Sequence, residues 1–302
     1  MSITDVIVNY RRFLKRRNYS PHTVKSYMKV LKSFVLWVDV PIDRVEHDKV
    51  AEYVDHLLGK RLKPKSINLH LACIRIFYNY LYHEEGIKIT NPVKRGSALR
   101  VPKPLPKHLR DEEVLALFDA ISKPRDKAMF KLMLRCGLRL QEVAYLYVRD
   151  LDLIRHRIFV RNGKGSKDRV VYVSKDAHEA IVNYLRVRPS RRAKRLFLVE
   201  KGTYTGKPIS VRGIRKRIEY YARITGIKVS CHQLRHTMAT QMLNAEATVS
   251  SIRELLGHSG ISTTERYCSV SNLKVMRDYF KAMEVIMNRT TRAHPPAWRE
   301  IT

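Results

Sequence analysis

"VSCHQLRHTMAT", Val229 to Thr240, sets His232, Arg235 and His236 close together at the start of a predicted helix, with Cys231 just ahead of them. Ser230 followed three residues later by Gln233 is a capping-box pattern, which predicts a helix beginning near Cys231. Leu234, Met238 and Met242 form its apolar stripe, and His232, Arg235 and His236 project from another face. Free backbone N–H groups and the positive end of the helix dipole belong to the same first turn, an environment that suits an anion. A metal is the second reading. His232 and His236 have the i, i+4 spacing of zinc helices, and Cys231, His258 and Cys268 are available for recruitment. Against it, Gln233 replaces the glutamate those helices use as general base, and Arg235 would repel a cation. Simple packing of His232 is the third. The spacing alone leaves the choice open.

The charge of the chain narrows it. Among 302 residues, 59 Lys and Arg stand against 28 Asp and Glu, a net +31 spread from the first predicted helix to the last. A cationic surface this strong repels itself unless a polyanion neutralises it, and nucleic acid is the common one. The apolar fraction of 44% allows sizeable cores, and the length suggests two domains. No run of eighteen apolar residues exists, so no membrane-spanning helix is expected. "MSITDVIVNYRRF" lacks the pattern of a signal peptide. Cys73, Cys136, Cys231 and Cys268 lie far apart without a CxxC pair, which points to reduced thiols in a cytoplasmic protein.

Upstream, "SPHTVKSYMKVLKSFVLWV" carries an N-cap at Ser20 and a proline at the first helical position. Val24, Tyr27, Met28, Leu31, Phe34, Val35 and Val38 then mark one buried face, and Lys25, Lys29 and Lys32 a cationic stripe. "SINLHLACIRIFYNYLY" repeats the helical period. Residues 1–94 therefore read as a small all-helical domain. In "NPVKRGSALRVPKPLPKHLRDEE", prolines at 102, 104 and 106 favour extended chain. Residues 95–107, studded with Arg95, Arg100, Lys103 and Lys107, read as a basic interdomain linker.

Residues 108–290 read as a second, mainly helical domain with one β-hairpin. "RIFVRNGKGSKDRVVYV" predicts strands Ile158 to Arg161 and Arg169 to Val173, with Lys164 and Lys167 in or beside the turn. Ser210 caps a further helix, where Arg212, Arg215 and Lys216 share a face of a size to enter a DNA groove, or simply to meet solvent. "LKVMRDYFKAMEVIM" predicts a helix apolar enough to want a partner surface, and the expectation is docking on a neighbouring protomer, with folding back on its own domain as the alternative. Residues 291–302 read as a mobile tail.

Two further stretches hold groups able to do chemistry. Arg139 follows Gly137 within an apolar run, and needs an anionic partner there: either Glu142 three residues on, or a phosphate bound bidentately. "LLGHSGISTTERY" predicts a helix ending at Gly257 with His258 directly after it, then a second capping box, Ser262 with Glu265, ahead of Tyr267. A tyrosine hydroxyl is a poor nucleophile unless clustered cations lower its pKa and hold a phosphate against it.

"GLRLQEV", "NGKGSKDR", "HQLRH" and "LLGHSGISTTERY", in this order and spacing, resemble the tyrosine recombinases, most closely the Xer-like integrases, and the resemblance covers nearly the whole chain. It implies an N-terminal SAM-like helical core-binding domain followed by a tyrosine-recombinase catalytic domain. Position by position, Arg139 matches the first catalytic arginine, Lys164 the hairpin lysine, His232 and Arg235 the His-x-x-Arg pair, His258 the second histidine and Tyr267 the nucleophile. Glu142 and His236 match as supporting residues. The resemblance implies strand cleavage through a 3′-phosphotyrosyl bond, with no metal or nucleotide cofactor. It also implies a C-shaped clamp on duplex DNA and four protomers on two sites, with room for a second recombinase or an accessory protein. A type IB topoisomerase and a non-catalytic DNA-binding protein that keeps the fold are the rival readings.

Overall fold

The computed structural model describes residues 3–101, 108–161, 168–190, 192–245, 247–257 and 273–291. The chain divides into two units, Met1–Pro104 and Leu105–Thr302. No described helix is long and apolar enough to cross a membrane.

The first unit is helical: α1 (Ile3–Arg16), α2 (Pro21–Val35), α3 (His47–Gly59) and α4 (Pro64–His83). Helix α2 starts as predicted, with Ser20 Oγ accepting from the Thr23 N–H at 3.1 Å and Pro21 in the first turn. Its buried stripe is Val24, Val30, Leu31 and Phe34; Tyr27, Met28, Val35 and Val38 sit at the margin, half-buried. The core is aromatic, with Tyr10, Phe34, Tyr53, Phe77 and Tyr78 almost completely enclosed. Lys25, Lys29 and Lys32 are all exposed. The first part of the segment expected as a linker is fastened to this unit. Asn68 donates to the Leu99 carbonyl and accepts from its N–H, both at 2.8 Å, and just ahead of the segment Arg75 donates to the Lys94 carbonyl at 2.8 Å. An extended segment satisfies its backbone this way without helix or sheet.

The second unit holds α5 (Asp111–Asp119), α6 (Pro124–Arg135), α7 (Leu140–Tyr145), β1 (Leu151–Asp152), β2 (Arg157–Val160), β3 (Arg169–Tyr172), α8 (Lys175–Val187), α9 (Val211–Thr225), α10 (Cys231–Asn244), α11 (Val249–Leu256) and α12 (Leu273–Thr291). The strands form an antiparallel sheet in the order β1-β2-β3, with Val160 opposite Arg169 and Ile158 opposite Val171. Two strands are predicted and three are found among the described residues, because a two-residue strand is too short to carry a period. Helix α6 runs through the middle of the core, so its charges are paired within it. Asp126 accepts from Arg125 at 2.8 Å and Arg217 at 2.7 Å; Arg135 meets Asp176 at 3.0 Å.

Helix α12 packs on its own unit. Val275, Tyr279, Ala282, Met283 and Ile286 recur at helical spacing and are buried in one cluster with Met238, Met242, Leu255 and Leu256, on α10 and α11 of the same unit. Asp278 adds a hydrogen bond from Ser251 at 2.8 Å. Of the two courses expected for this helix, the chain shows the second, folding back on its own domain, which covers the apolar face. The predicted tail begins inside this helix at Thr291, and its remainder lies outside the described residues.

Candidate active site

The turn between α6 and α7 is built around Gly137. Its φ of +64° is a left-handed conformation, and an added Cβ would stand 2.9 Å from Leu256 Cδ2 and 3.2 Å from Met238 Sδ. Only glycine permits this turn to run so close to α10 and α11. Two residues on, Arg139 precedes α7, and the Glu142 carboxylate caps that helix by accepting from the Arg139 N–H at 2.7 Å. The Arg139 side chain donates to Glu142 at 2.8 Å and to the Gly257 carbonyl at 2.9 Å.

Helix α10 brings in Arg235, only 4% exposed. Its guanidinium donates to the Gly137 and Leu256 carbonyls. A third arginine arrives from the sheet. Arg169 donates to both oxygens of Glu142, at 2.7 and 2.8 Å, and to the Leu255 carbonyl at 2.7 Å. The last carbonyls of α11, on Leu255, Leu256 and Gly257, therefore each accept from a different arginine. These groups have no partner within a helix and sit at the negative end of its dipole, so they offset the repulsion among the cations. Gly257 closes α11 in a left-handed conformation, φ +57°, against the Arg169 side chain.

Three guanidinia gather around one carboxylate, which bonds two of them, Arg139 and Arg169. Burial pushes Arg235 down to about 9, and the charges of Arg139 and Arg169 push the same way. Burial alone would raise Glu142, but Arg169 and Arg139 outweigh it and hold the carboxyl at about 2. Glu142 is thus ionised at any working pH, and the cluster retains a surplus of positive charge. Arg139 spends two of its five N–H donors on protein acceptors, and its side chain is 24% exposed. Such a cluster can hold an anion at its surface.

His232, exposed in the first turn of α10, lies 2.9 Å from His236, Nε2 to Nε2. That contact needs one imidazole to donate and the other to accept. Ser230 caps the helix through the Gln233 N–H at 3.3 Å, whereas Gln233 turns to the Lys228 carbonyl, so the expected box closes in one direction only. Cys231 is buried, and burial raises its thiol to about 11, which makes it a poor metal ligand. Among the described residues, no three His, Cys, Asp or Glu side chains gather as a metal site.

Arg139 and Arg235 are therefore brought together, and His232 is three residues before Arg235 on one helix. Lys164, His258 and Tyr267 lie outside the described residues, as do Lys103 and Lys167. Arg212, Arg215 and Lys216 are exposed on α9, and Arg95 and Arg100 on the first unit. Arg169 is the functional candidate missed by sequence. Its signal was present: period two puts it on the face of Val171 and Val173, both fully buried, and an inward arginine requires a partner.

The phage integrase family model covers residues 107–273, and its N-terminal SAM-like domain covers 7–85. A tyrosine recombinase XerC of Thermodesulfovibrio yellowstonii is 34% identical over 288 residues, 91% of this chain and 95% of its own. A tyrosine recombinase XerA of Thermococcus kodakarensis is 31% identical over 94% of this chain and 98% of its own. Two solved structures share the fold: the Tn1549 transposon integrase with circular intermediate DNA and a lambda integrase dimer bound to a core site. The first has a TM-score of 0.69 at 18% identity, over 90% of this chain and 97% of its own. The second has a TM-score of 0.69 at 16% identity, over 86% and 96%. With the catalytic-domain model spanning more than half of the sequence and Xer relatives aligned along nearly all of it, the chain belongs to the phage integrase family of tyrosine recombinases.

Proposed function

We propose that this recombinase cuts and rejoins duplex DNA at specific sites through a covalent bond between Tyr267 and a 3′ phosphate. The observation that supports the reading best is the joint seating of Arg139 and Arg235 on successive carbonyls of α11, with one carboxylate among three guanidinia. The Tyr267 hydroxyl oxygen attacks phosphorus, the bond to the 5′ oxygen breaks, and a 5′-hydroxyl leaves. Arg139 and Arg235 bind the nonbridging oxygens and stabilise the added charge of the pentavalent transition state. His258 adds a hydrogen bond there. Lys164 delivers a proton to the leaving oxygen, and His232 assists the proton lost by Tyr267. The tyrosyl ester keeps the phosphodiester energy, so a 5′-hydroxyl from another strand reseals it without ATP. The arginines supply the charge that a metal ion supplies in many nucleases.

Four protomers on two sites would exchange strands in alternate pairs, on the nucleoid in the cytoplasm. Lys25, Lys29 and Lys32 on α2, the exposed cations of α9 and the basic segment from Arg95 to Lys107 would lie along phosphates. The test is covalent trapping, with EDTA and no ATP, on nicked duplexes tiled across the DNA that flanks the protein's own gene. An SDS-resistant adduct, absent with Tyr267→Phe, is expected. Tight binding without an adduct on any duplex would favour the DNA-binding reading, and relaxation of supercoiled DNA by the monomer would favour the topoisomerase.

A further inference from the structure

Arg169 is 8% exposed, and three of its five N–H donors bond protein: Nη1 and Nη2 bond Glu142, and Nε bonds the Leu255 carbonyl. So enclosed, the guanidinium is engaged with protein rather than offered to DNA. What it touches is the support of the site. Glu142 anchors Arg139 both at its backbone and at its side chain. Leu255 stands one residue before the Leu256 carbonyl bound by Arg235, and two before the Gly257 carbonyl bound by Arg139. The Arg169 Cδ would lie 3.1 Å from a Cβ at Gly257, so its stem packs against the turn that closes α11.

From this geometry we infer that Arg169 is a positioning residue for strand cleavage, clamping Glu142 and the last turn of α11 so that Arg139 stays aimed at the scissile phosphate. The inference rests on the role proposed above for Arg139. A flat, five-donor guanidinium suits this task because three acceptors on two segments must be held in one plane. Lysine offers the same charge without the fork. Glu142 without Arg169 would rotate toward Arg139 alone, and a small loss of aim in a transition-state contact costs about a hundredfold in rate.

The test is a double-mutant cycle on the duplex with the highest adduct yield, under single-turnover conditions. It uses the full chain with Arg169→Gln, Arg139→Ala and both together, plus Arg169→Lys. DNA affinity should stay within about twofold for either Arg169 variant, while cleavage by Arg169→Gln falls about ten- to hundredfold. Arg169→Lys, which keeps the charge and is expected to fold if Arg169→Gln does not, should recover only a small part. In the Arg139→Ala background, Arg169→Gln should slow cleavage by no more than about threefold, because the contact it aims is already gone. Full multiplication of the two effects, full activity in Arg169→Lys, or an equal loss of binding and cleavage would each overturn the inference. An Arg139→Ala protein that cleaves normally, or a wild type without adduct, would instead remove the reading beneath it, and the inference with it.

Discussion

Glu142 receives one N–H from each terminal nitrogen of Arg169, at 2.7 and 2.8 Å, and this pair joins the sheet to the helix that begins after Arg139. The pair is nearly enclosed, 8% and 7% exposed. Its carboxyl is held at about 2 against an ordinary 4.5. A depressed acid contributes stability above its unfolded pKa and loses it as pH falls through the folded value. Urea unfolding between pH 7 and 2 should therefore show a loss of about 3 kcal/mol that is missing in Glu142→Gln, concentrated below about pH 4.5. At pH 7, Glu142→Gln should itself cost about 3–5 kcal/mol, since it strands two guanidinia.

Arg235 carries the opposite sign. Burial, Arg139 and Arg169 disfavour its charged form, so its buried charge opposes folding and a bound anion relieves the opposition. Sulfate should raise the thermal midpoint at pH 7 by about 2–4 °C per kcal/mol of binding. The gain should be largely absent in Arg235→Gln. Scanning calorimetry across sulfate concentrations checks both.

At Gly137 the backbone and the space agree. Gly137→Ala places a side chain at φ +64° and drives it into Leu256 and Met238. Strain and overpacking together should cost about 2–4 kcal/mol. Because the Gly137 carbonyl seats Arg235, cleavage should fall as well, with DNA affinity nearly kept.

The exposed cations of α9 make a different claim, on affinity alone. Arg212→Gln and Lys216→Gln should each lower the slope of log affinity against log salt by about one, uniformly over DNA sequences, if each neutralises one phosphate. Filter binding from low to moderate salt reads this directly. A slope that stays put would place the residue in solvent.

Helix α12 gives a concentration test. Met283 is 2% exposed within its own unit, so Met283→Ala should cost about 2–5 kcal/mol in a dilute, monomeric sample. Unfolding midpoints that rise with protein concentration would instead mean that a second protomer holds the helix.

Much of this could be read from local pattern. The cap of α2, the stripe of α10 and the stop at Gly257 follow from neighbours a few residues apart, whose contacts are set by helix geometry. The pairing of Arg139 with Glu142 is also local, three residues apart. Strand β1 escaped because two residues hold no period, and Arg169 escaped because its inward face was not weighed against its charge. The seat of α12 stayed between two courses for another reason: an apolar face declares that it will be covered, not by what.

The sequence by itself determined the helices, the two-part organisation and the family, since periodicity, caps and ordered motifs are properties of the chain read along its length. Only the tertiary structure decided that Arg169, Arg235 and Arg139 would meet on Leu255, Leu256 and Gly257. Backbone carbonyls look alike in every sequence. Which helix end is left unsatisfied beside three guanidinia depends on how distant segments pack, and at Gly137 that packing leaves no room even for one methyl group.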